Sequence, residues 1–205
     1  MKRLFKKPID EATALLWKTD TLNYLKGMQQ VPEPMEQDLM KMLRPHPKPK
    51  KHMLLDPDMR HNDAIFLRTG LAKLYIINVL TGKPQILYVW IQREIIVLHK
   101  IFRNRLENTK YYIQLIEDCE LVSISNDCMD IIYAAYPTAE RLTTDILDET
   151  TERRLKQLEI LGTECKADRP AMFEAMFPEF CFRLSNADRC AFIGVAESTL
   201  GRGNH

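Results

Sequence analysis

The stretch LAKLYIINVLTGKPQILYVWI, residues 71–91, decides the fold of this chain. Both of its ends are rich in β-branched and aromatic residues, a composition typical of strands. Thr81-Gly82-Lys83 between them is typical of a turn. The segments AIFL (64–67) and YYIQLI (111–116) have the same strand-like composition. Short strands at roughly ten-residue spacing predict an antiparallel roll or barrel and not a parallel α/β sheet.

Helices are expected before this β-rich region. Apolar residues recur at three- and four-residue steps from about Asp10 to Gly27, which predicts a first helix that Gly27 ends. Pro32 and Pro34 break it, and we expect a short helix over about 36–43 to follow.

A run of prolines and basic residues leads from these helices to the strands. Pro45, Pro47 and Pro49 are expected to forbid regular structure. The basic character of the run fits a solvated connector or a binding site, and we favour the connector. Its basic residues are Arg44, Lys48, Lys50 and Lys51.

Two helices are predicted after the strands. The first covers 125–135, with Ser125 or Asn126 as its N-cap and Pro137 after it. The second, TAERLTTDILDETTERRLKQLEILG, runs over 138–162 and ends at Gly162. It carries a narrow apolar seam at helical spacing: Leu147, Thr151, Leu155, Leu158 and Leu161. The seam fits a helix packed on its own domain or a dimer contact, and we favour the dimer because so long a helix outruns a small domain.

The C-terminal segment SNADRCAFIGVAESTLGRGNH, residues 185–205, fits a helix-turn-helix. That motif needs a small residue within its first helix, a glycine four positions later for the turn, and an apolar residue about six further on. Cys190, Gly194 and Leu200 meet these needs in order, although an arbitrary helical hairpin would show the same pattern. In the helix-turn-helix interpretation, the second helix enters the major groove of DNA. Its candidate DNA-binding residues are Glu197, Ser198, Thr199 and Arg202.

Taken together, these parts resemble the Crp/Fnr family of bacterial regulators. KKHMLLDPDMRHNDAIFLRTGLAKLYI (50–76) is similar to the family's first β-roll strands, and GKPQILYVWIQREII (82–96) and YYIQLIEDCELVSIS (111–125) to the strands beside its ligand site. DCMDIIYAAYP (127–137) resembles its short helix, and IGVAESTLGR (193–202) its recognition helix in a variant common among Bacteroidetes members. The resemblance implies an α+β fold: an antiparallel β-roll of the cyclic-nucleotide-binding type, flanking helices, a long dimer helix and a small helix-turn-helix domain.

The chain departs from the family at the phosphate cassette that binds cyclic nucleotides. The family has a Gly-Glu pair and then an arginine that neutralises the phosphate. The resemblance places the glycine position at Arg93, keeps Glu94, and places the arginine position at Thr109 or Lys110. These four residues are the ligand-pocket candidates. We expect no bound cyclic nucleotide and no other cofactor, although the basic loop around them could attract a small anionic effector.

The C-terminal end departs from the family as well. Gly201 and Gly203 interrupt the reading helix, each at a cost of about 1 kcal/mol relative to alanine. No wing can form from the residues that remain, so the helix-turn-helix is expected to be truncated.

Composition and motifs bound the remaining choices. The net charge of +1 is mildly against a protein that coats nucleic acid. There is no export signal and no membrane-spanning apolar run, and the five cysteines lack C-x-x-C spacing, so we expect a cytoplasmic protein with reduced thiols. The five histidines are scattered, no metal site is expected, and no catalytic motif is present, so the chain is expected not to be an enzyme.

These expectations define one leading function and one alternative. The leading hypothesis is a homodimeric DNA-binding transcription regulator with a degenerate cyclic-nucleotide pocket. The alternative is a sensor or protein-interaction module that does not bind DNA and has a vestigial helix-turn-helix. The expected domains are a sensor over 1–137, a dimerisation helix over 138–162 and a DNA-binding domain over 163–205.

Overall fold

The computed structural model describes residues 9–200 of the chain. The helices are α1 Glu11–Met28, α2 Glu33–Met42, α3 His99–Asn104, α4 Asn126–Ala135, α5 Thr138–Gly162, α6 Arg169–Met176, α7 Asn186–Ile193 and α8 Glu197–Leu200. The strands are β1 Arg44–Lys48, β2 Met53–Leu55, β3 Asp63–Thr69, β4 Ala72–Ile77, β5 Pro84–Trp90, β6 Glu94–Ile96, β7 Tyr112–Leu115 and β8 Cys119–Ser125.

The strands form two four-stranded sheets, in the orders β1-β8-β3-β6 and β2-β7-β4-β5. Strand β8 pairs antiparallel with β1 and β3, β6 with β3, and β7 with β2, so the predicted antiparallel class is confirmed. The chain divides into two compact units. Within the described residues, unit 1 comprises 9–73 and 90–147, and unit 2 comprises 74–89 and 148–200.

Side chains at the helix starts explain why the helices begin where they do. The carboxylate of Asp10 accepts a hydrogen bond from Thr13 N at 2.9 Å and caps α1. Of the two N-caps considered for α4, Ser125 is the one used, because its hydroxyl accepts from Cys128 N at 3.3 Å. The long helix α5 has the predicted bounds.

The expectation that the prolines at 45, 47 and 49 forbid regular structure is wrong for the first two. Pro45 and Pro47 lie within β1, which pairs with β8 from Arg44↔Ser123 to Lys48↔Cys119. The reason is position: β1 is an edge strand, and residues two apart direct their backbone nitrogens to the same side. The backbone nitrogens of both prolines, which carry no hydrogen, can therefore face away from β8.

The core of unit 1 lies between helices and one face of the first sheet. Phe66 and Val122 lie directly opposite each other on β3 and β8 and share this face. They pack in one buried cluster with Trp17 of α1, Met35 of α2 and Leu142 of α5. This apolar burial is the main favourable contribution to folding of the unit.

A tight approach in unit 1 requires a glycine. Gly70 has φ +104°, and a Cβ there would lie 2.4 Å from the sulfur of Cys119 and 3.0 Å from the carbonyl oxygen of Asp118. Burial raises the pKa of the Cys119 thiol to about 12, so this cysteine is a packing residue and not a nucleophile.

Aromatic rings form the core of the C-terminal part of unit 2. Phe173, Phe177, Phe180 and Phe192 are all buried. Each ring contacts the other three, with centroids 5.1–5.8 Å apart. The first three come from one short segment, FEAMFPEF, and the fourth from α7, so the cluster fixes α7 on its neighbours. Over residues 9–200, no helix is both long and apolar enough to cross a membrane.

Candidate nucleic-acid interface and effector cassette

The predicted helix-turn-helix lies in α7, the turn at Gly194 and α8. Ser185 caps α7, and its hydroxyl accepts from Asp188 N at 3.1 Å. Cys190 is buried at the position where the motif needs a small residue. The amides of Gly194 and Val195 both donate to the carbonyl oxygen of Cys190, at 2.9 and 3.2 Å, which ends α7 sharply.

Gly194 meets two demands at once. Its φ of +68° and ψ of +40° lie in the left-handed region, which favours glycine. A Cβ would also lie 3.2 Å from Cδ2 of Leu161 and 3.3 Å from Nη1 of Arg169. The turn is therefore packed closely against the end of α5.

Arg169 joins this turn to the end of α5. Its Nη1 donates to the carbonyl oxygens of Ile193 and Gly194 at 3.2 and 3.4 Å. Its Nη2 donates to those of Leu161 and Thr163 at 2.7 and 3.1 Å. The guanidinium is buried and bonds four carbonyl oxygens, so one side chain satisfies acceptors from two helix ends.

Gln157 makes a second connection within unit 2. Its buried Nε2 donates to the carbonyl oxygen of Ile86 on β5 at 2.9 Å and to that of Phe192 on α7 at 3.1 Å. Neither Arg169 nor Gln157 could be predicted from the sequence, because nothing in a local pattern shows which distant carbonyl a long polar side chain will reach.

The predicted DNA-binding residues lie at the start of α8. Glu197 and Ser198 are exposed, and Thr199 is half-buried. Leu200, expected to close the small core, is half-buried. Arg202, like Gly201 and Gly203, lies outside the described residues. Two of the four predicted side chains are thus fully available to a partner.

The predicted seam of α5 has an exposed middle. Leu155 and Leu158 are each 60% exposed. Thr151, one helical turn before Leu155, is exposed as well. The adjacent face of the same helix carries the buried Gln157 and Ile160.

Of the four cassette candidates, Arg93 is the one that lines a cleft with Asp20 and Arg68. Arg93 is exposed and has φ +67°, so an arginine adopts the left-handed conformation at the position where the resemblance expects glycine. Glu94 accepts a hydrogen bond from Ile91 N at 3.0 Å, within its own turn. Thr109 and Lys110 are exposed, and neither lines the cleft beside Arg93. The loop that carries them is held by the buried Asn108, which bonds the backbone of Asp56 and Tyr111.

A buried histidine bonds the backbone at the start of α3. Helix α3 follows β6, and the amide of its N-cap residue Leu98 donates to Nε2 of His61 at 2.9 Å. Burial lowers the pKa of His61 to about 4, so the ring is neutral at neutral pH and can accept this bond.

Arginines near this helix are neutralised by acidic side chains of unit 1. Arg103 bonds Glu140 at 2.6 Å, and its guanidinium carbon lies 3.9 Å from the centre of the Tyr133 ring. Arg105 bonds Asp127 and Asp130 at 2.6 and 2.7 Å. These charges therefore stabilise the packing of α3 on α4 and α5. In the described part of the chain, no three His, Cys, Asp or Glu side chains are placed to hold a metal ion.

No protein-family model matches the sequence, and no curated protein matches it. Several solved structures resemble the chain. A chain from Eubacterium rectale assigned to the Crp/Fnr family of transcriptional regulators has 14% identity and a TM-score of 0.70, with 88% of this chain and 85% of that chain covered. CLP of Xanthomonas campestris, a c-di-GMP responsive global regulator, has 13% identity and a TM-score of 0.67, with 83% and 89% covered.

FixK2 from Bradyrhizobium japonicum has 15% identity and a TM-score of 0.64, with 78% of this chain and 81% of that chain covered. At such identities the likeness shows the fold. The fold predicted from the resemblance, an antiparallel roll with flanking helices, a long helix and a C-terminal helix-turn-helix, is confirmed.

Proposed function

We propose that this chain is a homodimeric, DNA-binding transcription regulator whose cyclic-nucleotide cassette has become structural. The observation that carries the proposal is the turn at Gly194. Its left-handed glycine lies four residues after the buried Cys190, and α8 follows with exposed Glu197 and Ser198. A second helix that begins with exposed polar side chains after such a turn is what major-groove recognition requires.

Exposed leucines support the homodimer. Leu155 and Leu158 lie on one face of α5, three residues apart, and each exposes 60% of its surface. Two copies of α5 packed along this face would bury both leucines in each chain, which is favourable by about 25 cal/mol per Å² of apolar surface. In this proposal 1–137 is the sensor, 138–162 the dimerisation helix and 163–205 the DNA-binding domain.

The state of the cassette argues against a cyclic-nucleotide effector. The amide of Leu98 is already bonded to His61, and Arg103 and Arg105 are paired with carboxylates. A cyclic phosphate would have to displace these bonds before it gained its own. We therefore expect no rise in Tm with millimolar cyclic AMP or cyclic GMP, and a rise of several degrees would contradict this part of the proposal.

DNA binding is tested by retention of random duplexes on the purified protein over a salt series. We expect an enriched sequence and an affinity that falls steeply with salt, since contacts to phosphates release counterions. Ser198→Ala should weaken binding to the enriched sequence about three- to tenfold, the range for loss of one hydrogen bond. Thr19→Ala, which removes an exposed hydroxyl of α1, is the matched control and should leave binding unchanged. No retention at low salt would refute the regulator.

The dimer has a separate test. Leu155→Glu should shift the chain from dimer to monomer in sedimentation, because it places a charge within the proposed apolar contact. Leu15→Glu on α1 is the matched control, since Leu15 is 56% exposed and lies outside α5. Equal masses for both variants and the wild type would exclude α5 as the contact.

One observation favours the alternative, an interaction module that does not bind DNA. The segment 163–200 has six acidic and four basic residues, and Glu197 stands at the start of α8. Negative charge repels the phosphate backbone. If Glu197 limits DNA binding, Glu197→Gln should strengthen retention of all duplexes; if the segment has another partner, the substitution leaves retention absent.

A further inference from the structure

An apolar cavity of about 80 Å³ lies in unit 1, between the first sheet and the helices that cover it. Its lining comes from α1, α2, α3, α4, the first half of α5 and three strands. We infer that this cavity is a binding site for a small apolar molecule that carries one hydroxyl group, of about the size of phenol. The inference does not depend on DNA binding or on dimer formation.

Strand register separates this cavity from the cassette. Ile95 pairs with Phe66, which pairs with Val122, and all three line the cavity. Glu94 pairs with Leu67, so it lies on the opposite face of the same sheet. Because neighbouring residues of a strand point to opposite faces, the cavity and the cassette glutamate are on different sides of the sheet.

The polar groups of the lining are satisfied, with one exception. The hydroxyl of Thr21 donates to the carbonyl oxygen of Trp17 at 2.9 Å. The hydroxyls of Tyr133 and Thr143 lie 2.8 Å apart and bond each other. His99 also lines the cavity, and its Nε2 is shielded from solvent with no hydrogen-bond partner among residues 9–200. A buried polar atom without a partner is costly unless another molecule supplies one.

The chemistry of the lining defines the ligand. The neutral imidazole of His99 can donate to or accept from a hydroxyl, whichever nitrogen carries the proton. Burial and the nearby Arg103 lower the pKa of His99, which favours the neutral ring. Everything else a ligand would touch is apolar or already bonded. An ionised ligand would lose its hydration without gaining a counter-ion, so the ligand is uncharged.

The size of the cavity sets an upper limit on the ligand. An engineered apolar cavity of about 150 Å³ holds benzene, so a space of about 80 Å³ takes a ring only if its walls adjust. Met35 and Met129 are in the wall, and unbranched methionine side chains adapt readily to a ligand. Ala139, Leu142 and Ile146 of α5 are also in the wall, so a bound molecule would stabilise the packing of the first half of α5 on unit 1.

Phenol and benzene are the probes, with binding to the full-length protein measured by titration calorimetry and by the shift in Tm. We expect saturable binding of phenol at millimolar concentration, about three- to tenfold tighter than that of benzene, which is the contribution of one hydrogen bond. His99→Phe keeps an aromatic ring and removes the nitrogen, so it should abolish the preference for phenol. His52→Phe is the matched control, because His52 does not line the cavity, and it should keep the preference.

A filling variant makes the location itself testable. Ala64 is in the wall, and Ala64→Leu should remove the binding of both probes while the protein still unfolds cooperatively. If that variant fails to fold, the comparison of His99→Phe with the wild type still decides the question. The inference is wrong if phenol does not bind saturably, if phenol and benzene bind equally well to the wild type, or if His99→Phe keeps the preference.

Discussion

Replacement of Arg169 by methionine removes the side chain that joins the end of α5 to the turn of the helix-turn-helix. Its two shortest bonds, to Leu161 O at 2.7 Å and Thr163 O at 3.1 Å, satisfy carbonyls near the C-terminus of α5. Its two longer ones, to Ile193 O and Gly194 O, hold the turn. Methionine matches the aliphatic stem of arginine and has no donors, so the packing of the stem is largely kept while all four bonds are lost.

The magnitude follows from the four bonds. Hydrogen bonds to a charged group contribute about 1.5–3 kcal/mol each, and the two short bonds give about 3–6 kcal/mol. The long bonds contribute less, and the charge no longer has to be buried, which returns part of the loss. We expect the free energy of unfolding to fall by about 3 kcal/mol, which for a chain of this size lowers Tm by about 6–12 °C.

Hydrogen exchange followed by mass spectrometry locates the effect. The amides of Gly194 and Val195 bond Cys190 O, and their protection depends on the turn remaining closed. A loss of about 3 kcal/mol corresponds to roughly a hundredfold faster exchange, since each 1.4 kcal/mol is a factor of ten. Peptides from unit 1 should keep the wild-type rate wherever their amides exchange through local opening. That contrast distinguishes a local opening from general destabilisation.

Two further variants serve as controls for Arg169→Met. Arg183→Met makes the same chemical change at an exposed arginine of unit 2 and should cost about 1 kcal/mol or less. Arg169→Lys keeps the charge but loses the planar fork, so it should recover only part of the stability. Two results would refute this role of Arg169. One is a free energy of unfolding of Arg169→Met within about 0.5 kcal/mol of the wild-type value. The other is wild-type protection of the turn amides against hydrogen exchange in Arg169→Lys.

Three more predictions concern unit 1. The pKa of His61 is about 4 in the folded chain, against an ordinary value of 6.5. The unfolded chain therefore binds more protons, and the free energy of unfolding falls as pH falls from 6.5 to 4. His61→Gln, which keeps an acceptor for Leu98 N, should remove about 3 kcal/mol of that loss in denaturant titrations at a series of pH values. Gly70→Ala should lower the free energy of unfolding by about 3–5 kcal/mol in urea titrations, because of backbone strain and a clash. The control Gly82→Ala, at φ +65° with nothing near its Cβ, should lower it by about 1 kcal/mol. Equal losses in the two variants would exclude the clash. Arg93→Gly should change stability by about 1 kcal/mol or less, since relief of left-handed strain is offset by unfolded-chain entropy, and calorimetry should detect no cyclic AMP binding in it; binding would show that Arg93 alone blocks the cassette.

The sequence was most informative where one local rule decides a structure. The bounds of α5 follow from its helical periodicity and from the glycine at 162, and both are observed. The turn at Gly194 follows from the need for a left-handed residue, and its φ is +68°. The two β-branched segments around Thr81-Gly82-Lys83 are β4 and β5.

The sequence was less informative where the outcome depends on a distant neighbour. Strand β1 contains two prolines, and only its place at the edge of a sheet makes that tolerable. His61 has no motif around it, and its role at Leu98 depends on a fold that brings residues 37 positions apart together. The sequence showed that Arg93 and Thr109 depart from the family pattern. It did not show that the nearby Arg103 and Arg105 form ion pairs with acidic side chains.

The edge position of β1 has a consequence for how the protein behaves at high concentration. A free strand edge exposes unpaired N–H and C=O groups, and another chain can add to it as a further strand and start aggregation. On the outer side of β1, Pro45 and Pro47 replace two of the N–H donors that an incoming strand would need. The same prolines that made a strand improbable in the sequence therefore protect the first sheet from growing by strand addition. Pro45→Ala with Pro47→Ala would remove that protection while keeping the antiparallel pairing of β1 with β8.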